Sequence, residues 1–127
     1  NDIGYTYVEI DLTNQRLVFY KDGKPIIDTP VVTGNPNIDG CATPTGCFAL
    51  ANKKSPSVLT GEDYAAEVTY WMPFSGNVGI HDAVWRTEFG GNLYQLEGSH
   101  GCVNLPYDQA AALYSNVEIG MPVVVYQ

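Results

Sequence analysis

Residues 98–104 read Gly-Ser-His-Gly-Cys-Val-Asn, placing one of only three cysteines of a 127-residue chain directly after a glycine and two positions after a histidine. A cysteine attacks as the thiolate, and the surroundings of Cys102 hold three features that favour or use that form. His100 is near in sequence. A helix expected just downstream brings the positive end of its dipole close. Gly101 removes side-chain bulk, so a substrate carbonyl could approach backbone N–H groups able to hold an oxyanion. A nucleophile also needs a base, and His81 and His100 are the only histidines. In extended chain His100 and Cys102 point the same way. His81 falls in a strand-like run where Val78 and Ile80 share one face while Gly79 and His81 share the other. If the apolar pair faces the core, His81 faces a surface or a cleft. Against catalysis stands the ordinary case, in which a single cysteine and a single histidine of a small domain are inert. A metal site built from Cys41, Cys47, Cys102 and a histidine lacks the close ligand spacing of zinc sites, and no metal or other cofactor is expected.

The rest of the composition narrows the classes of partner. Fourteen acidic residues against six basic ones give a net charge of −8. The cations, Arg16, Lys21, Lys24, Lys53, Lys54 and Arg86, are scattered rather than clustered, which argues against a nucleic-acid partner. An apolar share of 45% is ordinary for a globular protein. No run is long and apolar enough for a membrane helix, so membrane contact by this domain is not expected. No signal peptide is visible, and the chain opens on Asn1-Asp2-Ile3 without an initiator Met. Residues 1–127 are therefore expected to be a single domain excised from a longer chain, with any targeting or anchoring segment outside it. Three cysteines is an odd number. In an oxidising compartment the close pair Cys41 and Cys47 could bridge; in a reducing one all three would be thiols.

Strand signals dominate the elements that must position the site. Residues 6–12 alternate, with Val8, Ile10 and Leu12 on one face. Residues 16–28 hold two strand-like runs around Asp22-Gly23, a strong hairpin signal. "TPVVTG" adds a third apolar piece, and residues 35–46 turn to Gly, Pro, Asn and Thr and read as a loop. "CFALANK" resumes as a strand, and residues 53–66 are ambiguous. "EVTYWMPF" (67–74) reads as one strand that turns at Gly76-Asn77 into "VGIHD" (78–82). A glycine-rich loop with aromatics follows. One helix is expected over about 105 to 117, with Ala110, Leu113, Tyr114 and Val117 on one face, Asn104 as N-cap, Pro106 in the first turn and Asp108 near the dipole. "GMPVVVY" reads as a buried closing strand. The sum is a mainly β domain, a sandwich or partly open barrel with one helix packed on it.

"GIHDAVW" followed at a distance by "SHGCVN" resembles the active-site signature of the L,D-transpeptidases, the YkuD family. "YVEIDLTNQRLVFYKDGK", "VVTG", "TPTGCFAL" and "IGMPVVVY" resemble further segments of that family, so the likeness spans most of the chain. It implies a YkuD-like β-sandwich of mixed sheets with one short helix after the cysteine motif. It also implies a cysteine acyltransferase of the bacterial cell wall, working outside the cytoplasm on peptidoglycan stem peptides. Cys102 would take the donor stem as a thioester, releasing D-alanine, and pass it to an acceptor amine; carbapenems would acylate the same thiol. The alternatives are an L,D-carboxypeptidase that uses water, and a non-catalytic wall-binding module with a degenerate site. Carried over by position, Cys102 is the nucleophile, His81 the base, and the backbone carbonyl of Asp82 orients its ring. Gly101 and Cys102 offer N–H groups to the oxyanion, and Ser99, His100 and Asn104 complete the motif and shape the pocket. Trp71, Trp85, Phe89 and Tyr94 could line a groove or simply pack, and Arg86 could meet a stem carboxylate or solvent. Cys41 and Cys47 flank the Thr-Pro-x-Gly segment outside the family signature, and a local bridge between them is expected.

Overall fold

Asp22 and Gly23 both take positive φ, 53° and 83°, the pair of conformations a two-residue hairpin turn with the right twist requires. The hairpin they close begins a five-stranded sheet. The computed structural model describes residues 5–38, 40–60, 65–76, 78–97, 99 and 101–127. Along the chain run β1 (Tyr7–Asp11), β2 (Arg16–Lys21), β3 (Lys24–Pro30), β4 (Gly46–Ala49), β5 (Ser57–Thr60), β6 (Ala65–Val68), β7 (Trp71–Ser75), β8 (Val78–Asp82), α1 (Leu93–Glu97), β9 (Val103–Leu105), α2 (Tyr107–Asn116) and β10 (Pro122–Tyr126). The larger sheet has the order β3-β2-β1-β10-β4 and a smaller one the order β7-β8-β9, with β5 and β6 paired apart. Both larger sheets are mixed, because β1 runs parallel to β10 and β8 parallel to β9 while their other pairs are antiparallel.

The alternation seen in the sequence decides which faces meet. Val8 and Ile10 of β1, Leu17 and Phe19 of β2, and Val123 and Val125 of β10 all turn inward, against Met72, Phe74, Ile80, Val103 and Leu105 of the smaller sheet. Helix α2 adds Ala110 and Leu113 to the same core, with Val117 just beyond its end. Each such side chain contributes about 2 kcal/mol on burial, so the sandwich is held mainly from its interior. Lys53 secures the far end of α2, its Nζ donating to the carbonyls of Tyr114 at 2.6 Å and Val117 at 3.0 Å, where cations suit the helix dipole.

Several expectations change. The run 67–74 is two strands, because Thr69 and Tyr70 break away and donate their N–H groups to the Asp82 carboxylate at 2.9 and 2.8 Å. "TPVVTG" ends β3 and continues only as single bridges, Val32 to Asn104 and Gly34 to Ser99. A second, short helix, α1, occupies the segment read as loop. The N-cap of α2 is Pro106, without a side-chain cap; Asn104 is held instead in β9. The closing strand β10 buries one face only. The Cys41–Cys47 bridge is not formed, and both residues are thiols. Cys47 sits exposed on β4 opposite Val124, whereas Cys41 is buried in the preceding turn, its N–H bonded to the carbonyl of Ile38 at 3.0 Å. Asn77 of the expected turn lies outside the described residues. Among the described residues no helix is long and apolar enough to cross a membrane.

Candidate active site

Strands β8 and β9 run parallel with Ile80 level with Val103 and His81 level with Asn104. One step back along that register, Gly79 falls level with Cys102. Side chains alternate along strands, so Ile80 and Val103 enter the core, while His81, Cys102 and Asn104 share the other face. His81 and Cys102 are then diagonal neighbours, with α-carbons about 8 Å apart from strand spacing and rise. That gap suits an imidazole and a thiol leaning toward each other. The expectation that His81 sits away from the apolar face holds, but it is not at an open surface: the residue is 4% exposed.

Two indoles wall the imidazole. The Trp71 ring lies 6.0 Å from it and the Trp85 ring 5.9 Å, both tilted. Trp71 can lie there because residue 79 is glycine. A Cβ at 79 would meet Pro73 Cα at 2.5 Å and the Trp71 ring at 2.8 Å. Nδ1 of His81 is 2.7 Å from the carbonyl oxygen of Asp82. A carbonyl only accepts, so Nδ1 carries the hydrogen and Nε2 presents its lone pair. Burial pushes the His81 pKa below the ordinary imidazole value, against the pull of the Asp82 carbonyl and carboxylate; the Arg86 charge lowers it further. Burial also raises the Cys102 thiol, opposed by a hydrogen bond from the Gly79 backbone. Both shifts favour the uncharged forms, a neutral imidazole at His81 and a thiol at Cys102, the protonation states from which an imidazole can take a thiol proton as sulfur attacks.

The motif loop is fastened by parts of the chain far from it. Ser99 donates to the carbonyl of Cys102 and accepts from the Gly101 N–H at 3.2 Å. The Gly101 N–H, expected to face the oxyanion, here donates to the Ser99 hydroxyl inside the loop. Gly101 has φ +131°, a conformation open to glycine. Backbone bonds join Ser99 N to the Thr33 carbonyl at 3.0 Å and Asn35 N to the Ser99 carbonyl at 3.2 Å, while Val32 and Asn104 exchange a pair. Thr33 is pinned in turn by the fully buried Gln15, which donates from Nε2 to the Thr33 hydroxyl at 2.8 Å and accepts the Thr33 N–H at 3.0 Å. Gln15, Gly34, Thr43 and Gly79 support this site without having been assigned a role from the sequence, although each lies in a segment quoted above: Gln15 in "YVEIDLTNQRLVFYKDGK", Gly34 in "VVTG", Thr43 in "TPTGCFAL" and Gly79 at the head of "GIHDAVW".

Asn104 is 1% exposed, and its Oδ1 has no hydrogen-bond partner among the described residues. Arg86 is half-buried and, with Trp85, Thr87, Glu88 and Leu93, lines a hollow of about 440 Å³. Tyr94 lies apart from His81, beside Thr33, Gly34 and Thr43, and Phe89 is half-buried in the loop. His100 lies outside the described residues. No group of three or more His, Cys, Asp or Glu side chains among the described residues could hold a metal ion.

Comparison with known proteins identifies the family and the fold. The family model of the L,D-transpeptidase catalytic domain, YkuD, matches residues 5–125. A mutant Enterococcus faecium L,D-transpeptidase, cysteine replaced by serine, is 42% identical with a TM-score of 0.90, over 98% of this chain and 50% of its own. The catalytic domain from the E. faecium enzyme acylated by ertapenem is 42% identical with a TM-score of 0.85, over 99% of this chain and 100% of its own. An L,D-transpeptidase from Mycobacterium smegmatis is 26% identical with a TM-score of 0.81, over 96% and 58%. No curated protein matches. The chain spans about half the length of the mutant E. faecium enzyme.

Proposed function

The chain belongs to the YkuD family of L,D-transpeptidase catalytic domains, and we propose that it is the catalytic domain of a longer peptidoglycan L,D-transpeptidase acting outside the cytoplasm. Cys102 is the nucleophile and His81 the base. Nε2 of His81 takes the thiol proton as the sulfur attacks the carbonyl that joins the third, L-centred residue of a donor stem to D-alanine. The tetrahedral oxyanion collapses, the imidazolium returns the proton to the leaving nitrogen, and D-alanine departs. The thioester retains the acyl group's reactivity without an outside energy source. An acceptor amine then attacks, gives its proton to His81 and displaces the thiol, leaving two stems joined through their third residues.

The observation that carries this reading is the pinned tautomer of His81, facing the strand position of Cys102 across a parallel pair. Two indoles flank the imidazole. Arg86, in the hollow beside Trp85, supplies a cation for a stem carboxylate. Carbapenems acylate the same sulfur in this reading, which the ertapenem-acylated E. faecium domain supports. Incubating the chain with a purified tetrapeptide stem tests the proposal. Cross-linked dimer with release of D-alanine is expected; tripeptide alone would make it a carboxypeptidase, and no turnover or adduct a binding module.

A further inference from the structure

The hydroxyl of Thr43 stands between two backbone groups that lie far apart in sequence. It accepts the N–H of Gly34 at 2.8 Å and donates to the carbonyl of Gly101 at 2.7 Å. The direction of this relay is fixed by chemistry. An amide N–H can only donate, so the single hydroxyl proton goes to Gly101. We propose that Thr43 is a positioning residue for acyl transfer: it orients the Gly101–Cys102 peptide unit so that the Cys102 N–H is the donor aimed at the oxyanion.

Three observations carry the inference. The carbonyl that Thr43 holds belongs to the Gly101–Cys102 peptide unit, the one that directly precedes the reacting residue. In a trans peptide the carbonyl and the N–H point in opposite directions, so a bond that fixes the Gly101 carbonyl fixes the Cys102 N–H. A hydrogen bond to the carbonyl also polarises the unit and strengthens its N–H as a donor. The wall behind the relay is built for close approach. A Cβ at Gly34 would fall 1.7 Å from the Cys41 carbonyl oxygen and 2.9 Å from Gly101 Cα. Pro44 follows Thr43 and restricts it to extended conformations, setting the hydroxyl before substrate arrives. Thr43 itself is 6% exposed and touches no reacting atom.

The inference rests on Cys102 being the acylated thiol, and two reactions of that thiol separate positioning from mere structure. Acylation by ertapenem develops an oxyanion; alkylation by iodoacetamide displaces iodide and develops none. In the 127-residue chain, Thr43→Val should slow acylation roughly ten- to a hundredfold. Its alkylation rate and the pH profile of that rate should stay within about twofold of wild type. Thr43→Ser, which keeps the hydroxyl, should restore acylation. Thr43→Ala provides a second removal in case valine does not fold. Acylation at the wild-type rate in either removal variant would overturn the role, as would equal loss of acylation and alkylation, or a serine variant as slow as valine. Failure of the functional reading looks different: the wild type itself would take no ertapenem adduct on Cys102.

Discussion

Nδ1 of His81 lies 2.7 Å from the carbonyl oxygen of Asp82, and the carboxylate of that same aspartate accepts the backbone N–H groups of Thr69 and Tyr70. One residue thus selects the tautomer of the base with its main chain and ties the start of β7 to the end of β8 with its side chain. The two roles separate experimentally. Asp82→Ala keeps the carbonyl and strands two N–H groups, so a loss of about 3 kcal/mol in unfolding free energy is expected. Per folded molecule, acylation should fall far less than it does in His81→Ala. Denaturant unfolding together with intact-mass kinetics checks both.

The titration of the pair gives the pH dependence a sign. His81 is held below the ordinary imidazole value, so the neutral, proton-accepting form persists to lower pH than usual. Cys102 is held above the ordinary thiol value, so it remains a thiol through neutral pH. The rate of acylation by ertapenem should fall on the acid side with an inflection below about pH 6.5 and stay level through neutral pH. An acid limb above pH 7, measured on the wild type, would contradict the assignment of His81 as a buried neutral base.

Gly34 is where the motif loop and the Cys41 turn press together. A methyl group there overlaps a backbone carbonyl rather than a movable side chain. Gly34→Ala should cost on the order of 4 kcal/mol or more, leaving little folded protein by circular dichroism. Gly120, whose φ is +94° but whose Cβ would meet nothing, is the control: alanine there should cost only about 1 to 2 kcal/mol of backbone strain.

The three cysteines should all titrate as thiols in the denatured, unreduced protein, since none is bridged. In the native protein Cys47, exposed on β4, should react with a thiol reagent before the buried Cys41. A count of one thiol would show the bridge the structure lacks.

What was legible in the sequence follows from what local patterns encode. The period-two runs of β1 and β2, the Asp22-Gly23 turn and the Val78/Ile80 alternation each depend on neighbours in the chain, and each was readable. The break at Thr69–Tyr70 was not, because an aspartate thirteen residues on causes it. The N-cap expected at Asn104 fails for the same reason: an amide before Pro106 looks like a helix cap until β8 and the Val32 segment claim its backbone for a strand. Cys41 and Cys47 are close in the chain, yet one is held in a turn and the other outward on a strand. The buried polar supports of the loop, Gln15, Thr33 and Thr43, join positions eighteen and fifty-eight residues apart, and no short window holds both ends.

The most direct test of the central claim is the site and rate of ertapenem acylation in wild type, Cys102→Ser, His81→Ala and His100→Ala, read by intact mass and peptide mapping. One adduct on Cys102 is expected in the wild type, none in Cys102→Ser, essentially none in His81→Ala, and a measurable rate in His100→Ala. A wild type without an adduct, or full-rate acylation in His81→Ala with complete loss in His100→Ala, would contradict it.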